Sequence, residues 1–238
     1  MKFIKKNCFI TGATGGIGKH LASQLALNGC NVFLTGRKEG KLRKLKNNLI
    51  KQNKKIEISY EAGNLEKIGD IQEIIKTCKK QFSSIDILIN CAGVFPVHYL
   101  SKSTLKDFEN CFNINVRAPF LFCKEFSYDM MKKRWGRIIN IGSSSSYNGF
   151  EKTSIYCASK HAILGLSRSL HQELKEYNIR TLCISPGSVK TKMGKKVENQ
   201  DYETFIEPME IAEFIIHAIS YDSEMVPEEI RLNRMIIK

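Results

Sequence analysis

Short apolar runs that read as strands alternate with longer amphipathic stretches along nearly the whole chain. This alternation constrains the fold more than any other feature. The strand candidates are 6–11, 31–35, 55–60, 85–90, 137–142, 180–185 and a short 229–232. The helical stretches are 16–28, 39–52, 67–81, 104–133, 155–176 and 208–219. Strands joined through helices pair in parallel, because a crossover of a dozen or more residues returns the chain in the same direction. Such a sheet needs helices on both faces. The expected architecture is one α/β domain over residues 1–238, a doubly wound parallel sheet of about seven strands. Pro208 suits the first turn of the last helix. There is no internal repeat, Pro/Gly-rich linker or low-complexity tail. Ligands of these sheets gather at the carboxyl ends of the strands.

The first of those ends carries Thr11-Gly12-Ala13-Thr14-Gly15-Gly16-Ile17-Gly18. The apolar run Cys8-Phe9-Ile10 precedes it, and Ile17, Leu21 and Leu25 recur four apart after it, with Gly29 at the end. Strand, glycine-rich turn and helix form the setting of a dinucleotide site. Glycines let backbone N–H groups approach a pyrophosphate, and a helix N-terminus presents partial positive charge. The spacing is G-x-x-x-G-x-G, so the generic G-x-G-x-x-G pattern does not apply.

A second feature is Tyr156-Cys157-Ala158-Ser159-Lys160, with Ser143 thirteen residues before the tyrosine. On a helix, the phenol and ammonium at this spacing share one face. A free tyrosine has a pKa near 10. A lysine charge about 4 Å away, at an effective dielectric of roughly 20, favours the phenolate by up to about 4 kcal/mol. The pair is therefore expected to bring the phenol toward neutrality, where acid/base catalysts work best.

Together the two sites resemble the short-chain dehydrogenase/reductase family, and further matches follow in order. Asn90-Cys91-Ala92-Gly93 resembles the family's N-x-A-G turn beside the cofactor. Asn115 stands where the family has its fourth catalytic residue. The stretch 138–143 looks like the strand leading to the catalytic serine, Ser143. Pro186-Gly187-Ser188-Val189-Lys190-Thr191 looks like the turn that holds the nicotinamide. The resemblance implies a Rossmann sheet and catalytic Asn115, Ser143, Tyr156 and Lys160. For the cofactor it implies Gly12, Thr14, Gly15, Gly16, Ile17, Gly18, Asn90, Ala92, Gly93, Pro186, Gly187, Val189 and Thr191, besides Tyr156 and Lys160. Ser143 would orient a carbonyl, Tyr156 would protonate it, Lys160 would tune the phenol and hold the ribose, and Asn115 would position a water. The glycine turn also fits T-G-x-x-G-x-x-G of the extended branch. The length of 238 residues leaves little room for that branch's C-terminal region, so the short branch is expected.

The second strand ends in Gly36-Arg37-Lys38. An acid at this place binds the ribose 2′-hydroxyl, whereas two cations suit a 2′-phosphate. NADP(H) is expected, with NAD(H) the alternative if Arg37 and Lys38 only face solvent. Asn64-Leu65 stands where the family usually has an aspartate at the adenine, and the amide oxygen can accept the same hydrogen bond.

Composition limits the partners. Apolar residues make up 42% and aromatic residues 9%, which excludes disorder. No run reaches the roughly 18 apolar residues of a membrane span, and the basic start leads into no long apolar h-region. Eight scattered cysteines without zinc spacing suit reduced thiols in a cytoplasmic protein with no metal. The net charge of +13 admits an anionic partner or a general lysine enrichment of the surface. No nucleic-acid module is present.

The substrate is expected to be a small carbonyl compound or acyl thioester. Lys190, Lys192, Lys195 and Lys196 would suit an anionic or carrier-bound one. Similar proteins include 3-oxoacyl-[acyl-carrier-protein] reductases, whose two arginines dock an acidic carrier protein. Arg134 matches one, but Tyr177 occupies the other position. The C-terminus, ending near Arg234, is more like those of broad carbonyl and hydroxy-acid reductases of the family. A cofactor-binding sensor without turnover is the contrasting class. The resemblance further implies a homodimer or homotetramer.

Overall fold

A computed structural model describes residues 3–235. Met1 and Lys2 of the basic start lie outside that span. The first half contains β1 (Asn7–Thr11), α1 (Gly16–Leu27), β2 (Asn31–Gly36), α2 (Glu39–Gln52), β3 (Ile58–Ala62), α3 (Ile68–Gln81) and β4 (Ile87–Asn90). The second contains α4 (Leu105–Phe112), α5 (Ala118–Lys133), β5 (Gly136–Ile141), α6 (Ser154–Leu174), β6 (Ile179–Pro186), α7 (Pro208–Ala218) and β7 (Glu229–Leu232). The strands form one sheet in the order β3-β2-β1-β4-β5-β6-β7, and every neighbouring pair is parallel.

Alternation along the strands builds a core on each face. Ile10, Val32 and Leu34 face Leu21, Leu25, Leu42 and Ile215 of α1, α2 and α7. Phe9, Phe33 and Leu88 face Ile71, Ile74, Phe122 and Phe126 of α3 and α5. Phe9 lies parallel to Phe33 with ring centroids 5.5 Å apart and meets Phe122 and Phe126 at 4.9 Å. A fully buried phenylalanine contributes about 3 kcal/mol, so this aromatic cluster anchors the centre of the sheet. Chain order reverses between β1 and β4, and the carboxyl ends of these neighbours part to open a crevice.

Two elements depart from their sequence reading. The stretch 104–133 is not one helix. Thr104 and Asp107 form a capping box at the start of α4, and a π-helical turn over Asn113–Arg117 separates α4 from α5. Strand β3 begins at Ile58 and not at residue 55. Asn53 bends the chain first, its side chain donating to the Ala26 carbonyl and accepting from the Lys55 N–H.

Candidate active site

Three glycines shape the crevice, each for its own reason. Gly12 has a φ of 64°, and a Cβ there would come within 2.8 Å of the Ala92 Cα. A Cβ on Gly18 would sit 2.3 Å from the Gly12 carbonyl oxygen, so α1 can press against the end of β1 only at a glycine. A Cβ on Gly16 would meet Thr191 at 2.2 Å. Helix α1 starts behind Gly15 with no side-chain cap and no acid in its first turn. Its leading N–H groups remain open toward the cleft, as an anionic pyrophosphate requires. The cradle fits a dinucleotide.

Thr11 fixes the opposing wall. Its Oγ1 accepts from the N–H groups of Cys91 and Ala92, both at 3.0 Å. The sequence does not single out this residue, because a threonine closing an apolar strand gives no sign of which backbone it will bond. Asn90 behaves differently from its expected role. Its amide turns into the interior, donating to Asn140 at 2.8 Å, and Asn140 donates on to Ser167 at 2.9 Å. Asn140 lies opposite on β5 and offers the nearer partner, so Asn90 holds the strand ends together and leaves the cleft wall to Cys91, Ala92 and Gly93.

Asn115 sits in the π-helical turn and is buried. Its Oδ1 accepts from the Val94 N–H at 2.9 Å. Its Nδ2 donates to the Val94 carbonyl and the Ser159 hydroxyl, both at 3.0 Å. The side chain is thus committed to Val94 and to α6. Asn115→Ala leaves two part-buried backbone groups of Val94 without their partner. It is expected to cost about 2–3 kcal/mol, read as a lower urea midpoint at unchanged slope.

Tyr156 and Lys160 lie one turn apart on α6, both buried. Ser143 follows β5, its Oγ accepts from the Ser145 N–H at 3.1 Å, and it lines the same crevice as the phenol. The Phe95 ring meets the Tyr156 ring edge-on at 4.6 Å. Burial pushes the Tyr156 phenol up to about 12, with the Ser143 hydroxyl pulling it down. This runs against the expected lowering of its pKa toward neutral pH. The reason is positional: the Lys160 Nζ donates to the Ile141 carbonyl at 2.7 Å and lies 5.6 Å from the tyrosine ring centroid. Burial lowers the pKa of Lys160 itself.

The crevice encloses about 1160 Å3, and Ser143, Tyr156 and Lys160 share it with the glycine turn. Of the residues expected to hold a cofactor, only Asn90 is absent from its wall. Among the expected catalytic residues only Asn115 stands behind it. Arg37 and Lys38 are exposed at the adenosine end, where Lys19 and Lys41 join them. Cys91 lines the cleft too, but burial holds its thiol at about 12, so it fills space and does not react.

Residues 6–202 match the family model described as short chain dehydrogenase. The chain belongs to the short-chain dehydrogenase family. A 3-oxoacyl-[acyl-carrier-protein] reductase of Rickettsia felis is 32% identical over 209 residues, covering 88% of this chain and 83% of that one. An uncharacterized oxidoreductase of Staphylococcus saprophyticus is 29% identical over 239 residues, covering 96% and 94%. A metagenomic short-chain oxidoreductase crystallised in complex with NADP shares the fold at a TM-score of 0.86 and 25% identity, covering 99% of this chain and all 100% of that one. The alignments cover 83%, 94% and 100% of these relatives' chains, as for a single-domain member of the family.

In this short-chain dehydrogenase the adenine-side Asn64 is engaged locally. Its Oδ1 accepts from the Glu66 N–H at 3.2 Å, and Leu65 beside it is buried. The second lone pair of the amide oxygen is left for a ligand. Arg134 caps the end of α5, just before β5 and so at the amino ends of the strands, opposite the cleft. It donates to the Glu176 carbonyl at 2.7 Å. No helix among the described residues is long and apolar enough to cross a membrane.

Proposed function

We propose that this oxidoreductase reduces a carbonyl to a secondary alcohol with NADP(H). The observation that carries the reading is a buried, protonated phenol beside a seryl hydroxyl, in the same crevice as an open helix N-terminus cradled by glycines. Bound NADPH supplies the hydride; the chain supplies placement and a proton. Ser143 orients the carbonyl oxygen, and the Tyr156 hydroxyl transfers its proton to that oxygen. A phenol held at about 12 keeps its proton throughout the neutral range, which suits the acid of a reduction. Lys160 lies one turn along α6 from the phenol, and its ammonium, which donates to the Ile141 carbonyl, is the group that would hold the ribose hydroxyls. Gly12, Gly15, Gly16 and Gly18 receive the pyrophosphate, Ala92 and Gly93 flank the ribose, and the turn from Pro186 to Thr191 supports the nicotinamide. Consumption of NADPH and NADH with a panel of ketones, aldehydes and acetoacetyl thioesters tests the reading. Cofactor binding with no turnover on any of them favours a sensor.

Arg37 and Lys38 are read as the 2′-phosphate contacts, since both line the crevice just beyond β2 while the neighbouring Glu39 does not. Arg37→Ala is expected to raise KM for NADPH at least tenfold, the loss of about one charge-assisted hydrogen bond. KM for NADH should change far less. Equal changes for both cofactors would remove Arg37 from this role.

A 3-oxoacyl thioester on a carrier protein is the second reading, supported by the Rickettsia relative. Arg134 lies at the amino ends of the strands, away from the cleft at their carboxyl ends, so a carrier docked there would serve the cleft of another subunit. We also propose a homodimer or homotetramer formed through α4, α5 and α6, where Leu105, Phe108, Phe120 and Tyr128 leave large apolar surfaces exposed.

A further inference from the structure

The substrate half of the cleft is charged in an uneven way. Lys152, Lys190, Lys192, Lys195, Lys196 and Arg234 stand on its wall, against the acids Glu151 and Glu198. Two of the cations are neutralised. Lys152 pairs with Glu198 at 2.8 Å, and Lys190 pairs with Glu203 and Glu207 at 3.2 and 3.0 Å. Lys192, Lys195, Lys196 and Arg234 have no carboxylate partner among the described residues.

Arg234 differs from the lysines because it is held still. It is half-buried just beyond β7. Its two terminal nitrogens donate to neutral acceptors, the Thr204 hydroxyl at 2.8 Å and the Gln200 amide oxygen at 2.7 Å. Its guanidinium lies over the Phe205 ring at 5.0 Å. The same Gln200 oxygen accepts from the Ser188 hydroxyl at 2.9 Å. Ser188 belongs to the turn after β6 that runs from Gly187 to Thr191 along the cleft floor, so the arginine is tied to that floor. On the facing side, the Lys196 Nζ donates to the Phe95 carbonyl at 3.2 Å, and the Phe95 ring rests on Tyr156. Arg234 and Lys196 thus both stand on the wall of the crevice that holds the phenol. Withdrawing a guanidinium from water costs free energy unless an anion meets it. The fork still has N–H groups beyond the two engaged here, and it matches a planar oxyanion.

We propose that Arg234 anchors an oxyanion on the substrate, so that the carbonyl compound reduced here carries a carboxylate or phosphate group a short distance from its carbonyl. The proposal rests on the reductase reading for the reaction, but the binding site stands apart from it. Lys192 and Lys195 raise the local potential and speed the approach of such a substrate.

The test measures calorimetric binding to the NADP-loaded protein of three probes: 2-pentanone, 4-oxopentanoate and 2-oxopropylphosphonate. Both anions should bind at least tenfold more tightly than the neutral ketone, and that advantage should shrink as salt is raised. Arg234→Gln should reduce the anion-to-neutral ratio at least tenfold, with NADP affinity moving less than twofold. Arg234→Lys, which keeps the charge and loses the fork, should fall between. The larger loss between 4-oxopentanoate and the phosphonate identifies which oxyanion the site prefers. Equal binding of all three probes to the wild-type protein overturns the proposal, as does an anion advantage that survives both substitutions. A parallel loss of NADP affinity would assign Arg234 to the cofactor. Selective anion binding without NADPH turnover of any probe would defeat the reductase reading and leave the anion site in place.

Discussion

Tyr156→Phe should fold, bind nucleotide and lose roughly a thousandfold in kcat, the middle of the range for removing a general acid. The substitution takes away one oxygen and nothing else. The ring keeps its edge-on contact with Phe95 at 4.6 Å and its buried place on α6. The Gly12 to Gly18 cradle is untouched, so affinity for NADPH should change little. The loss belongs in kcat and not KM, because the proton moves only as the carbonyl is reduced. The pH dependence of stability gives an independent check. The phenol stands at about 12 in the folded protein, against about 10 when unfolded. A group whose folded pKa is raised contributes fully below the unfolded value and loses that contribution as pH climbs through the folded one. Wild-type stability should therefore fall from about pH 10 upward through this residue, and the phenylalanine variant should lack that part of the alkaline loss. Urea unfolding at neutral and alkaline pH reads the difference. Turnover within tenfold of wild type would remove the phenol from the chemistry.

The sheet and its helices were legible because their signals are local and repetitive. Phe9 and Ile10 alternate between two faces, and a glycine turn can link a strand to a helix in few ways. The family's motifs gave the site its membership, since each is a backbone conformation or a fixed spacing. What escaped the sequence depends on partners far along the chain. The π-helical turn at Asn113–Arg117 has no breaker in it. It is held by the amide of Asn115 reaching Val94 and Ser159, residues 21 and 44 positions away. The inward turn of Asn90 likewise depends on Asn140 arriving beside it, fifty residues later.

The tyrosine–lysine pair shows the limit most sharply. Spacing puts two side chains on one helix face, but it does not say where their ends go. Lys160 has a carbonyl acceptor at the end of β5, the residue Ile141, at 2.7 Å. Desolvation then outweighs a charge that is not aimed at the phenol, and the tyrosine moves up where the spacing argument moves it down. For a reductase this displacement is favourable, because the acid is needed in its protonated form.

Gly12→Ala should damage both stability and nucleotide binding. The residue has a φ of 64°, and the left-handed backbone costs an alanine about 1 kcal/mol over glycine. The added methyl would also stand 2.8 Å from the Ala92 Cα and 2.9 Å from the Ala92 nitrogen. Neither is the end of a flexible side chain. Both belong to a turn that Thr11 holds through two hydrogen bonds of 3.0 Å. Relief requires β1 and β4 to part at their carboxyl ends, an overpacking cost of about 1–3 kcal/mol more. The total, about 2–4 kcal/mol, is less than the 5–15 kcal/mol of an ordinary domain, so the variant should fold with a lower melting temperature. Its nucleotide affinity should drop at least a hundredfold, because the same movement tilts the N-terminus of α1 and displaces Ala92 and Gly93 on the crevice wall. Gly40→Ala is the matching control. Gly40 lies in α2, and a Cβ there meets nothing within 4 Å. Alanine should stabilise that helix by up to about 1 kcal/mol and leave nucleotide binding as it was. Opposite signs from the same added methyl would locate the effect in the close approach of β1 to the Ala92 turn. A Gly12→Ala protein that binds NADPH like the wild type would mean that this turn is not the pyrophosphate cradle.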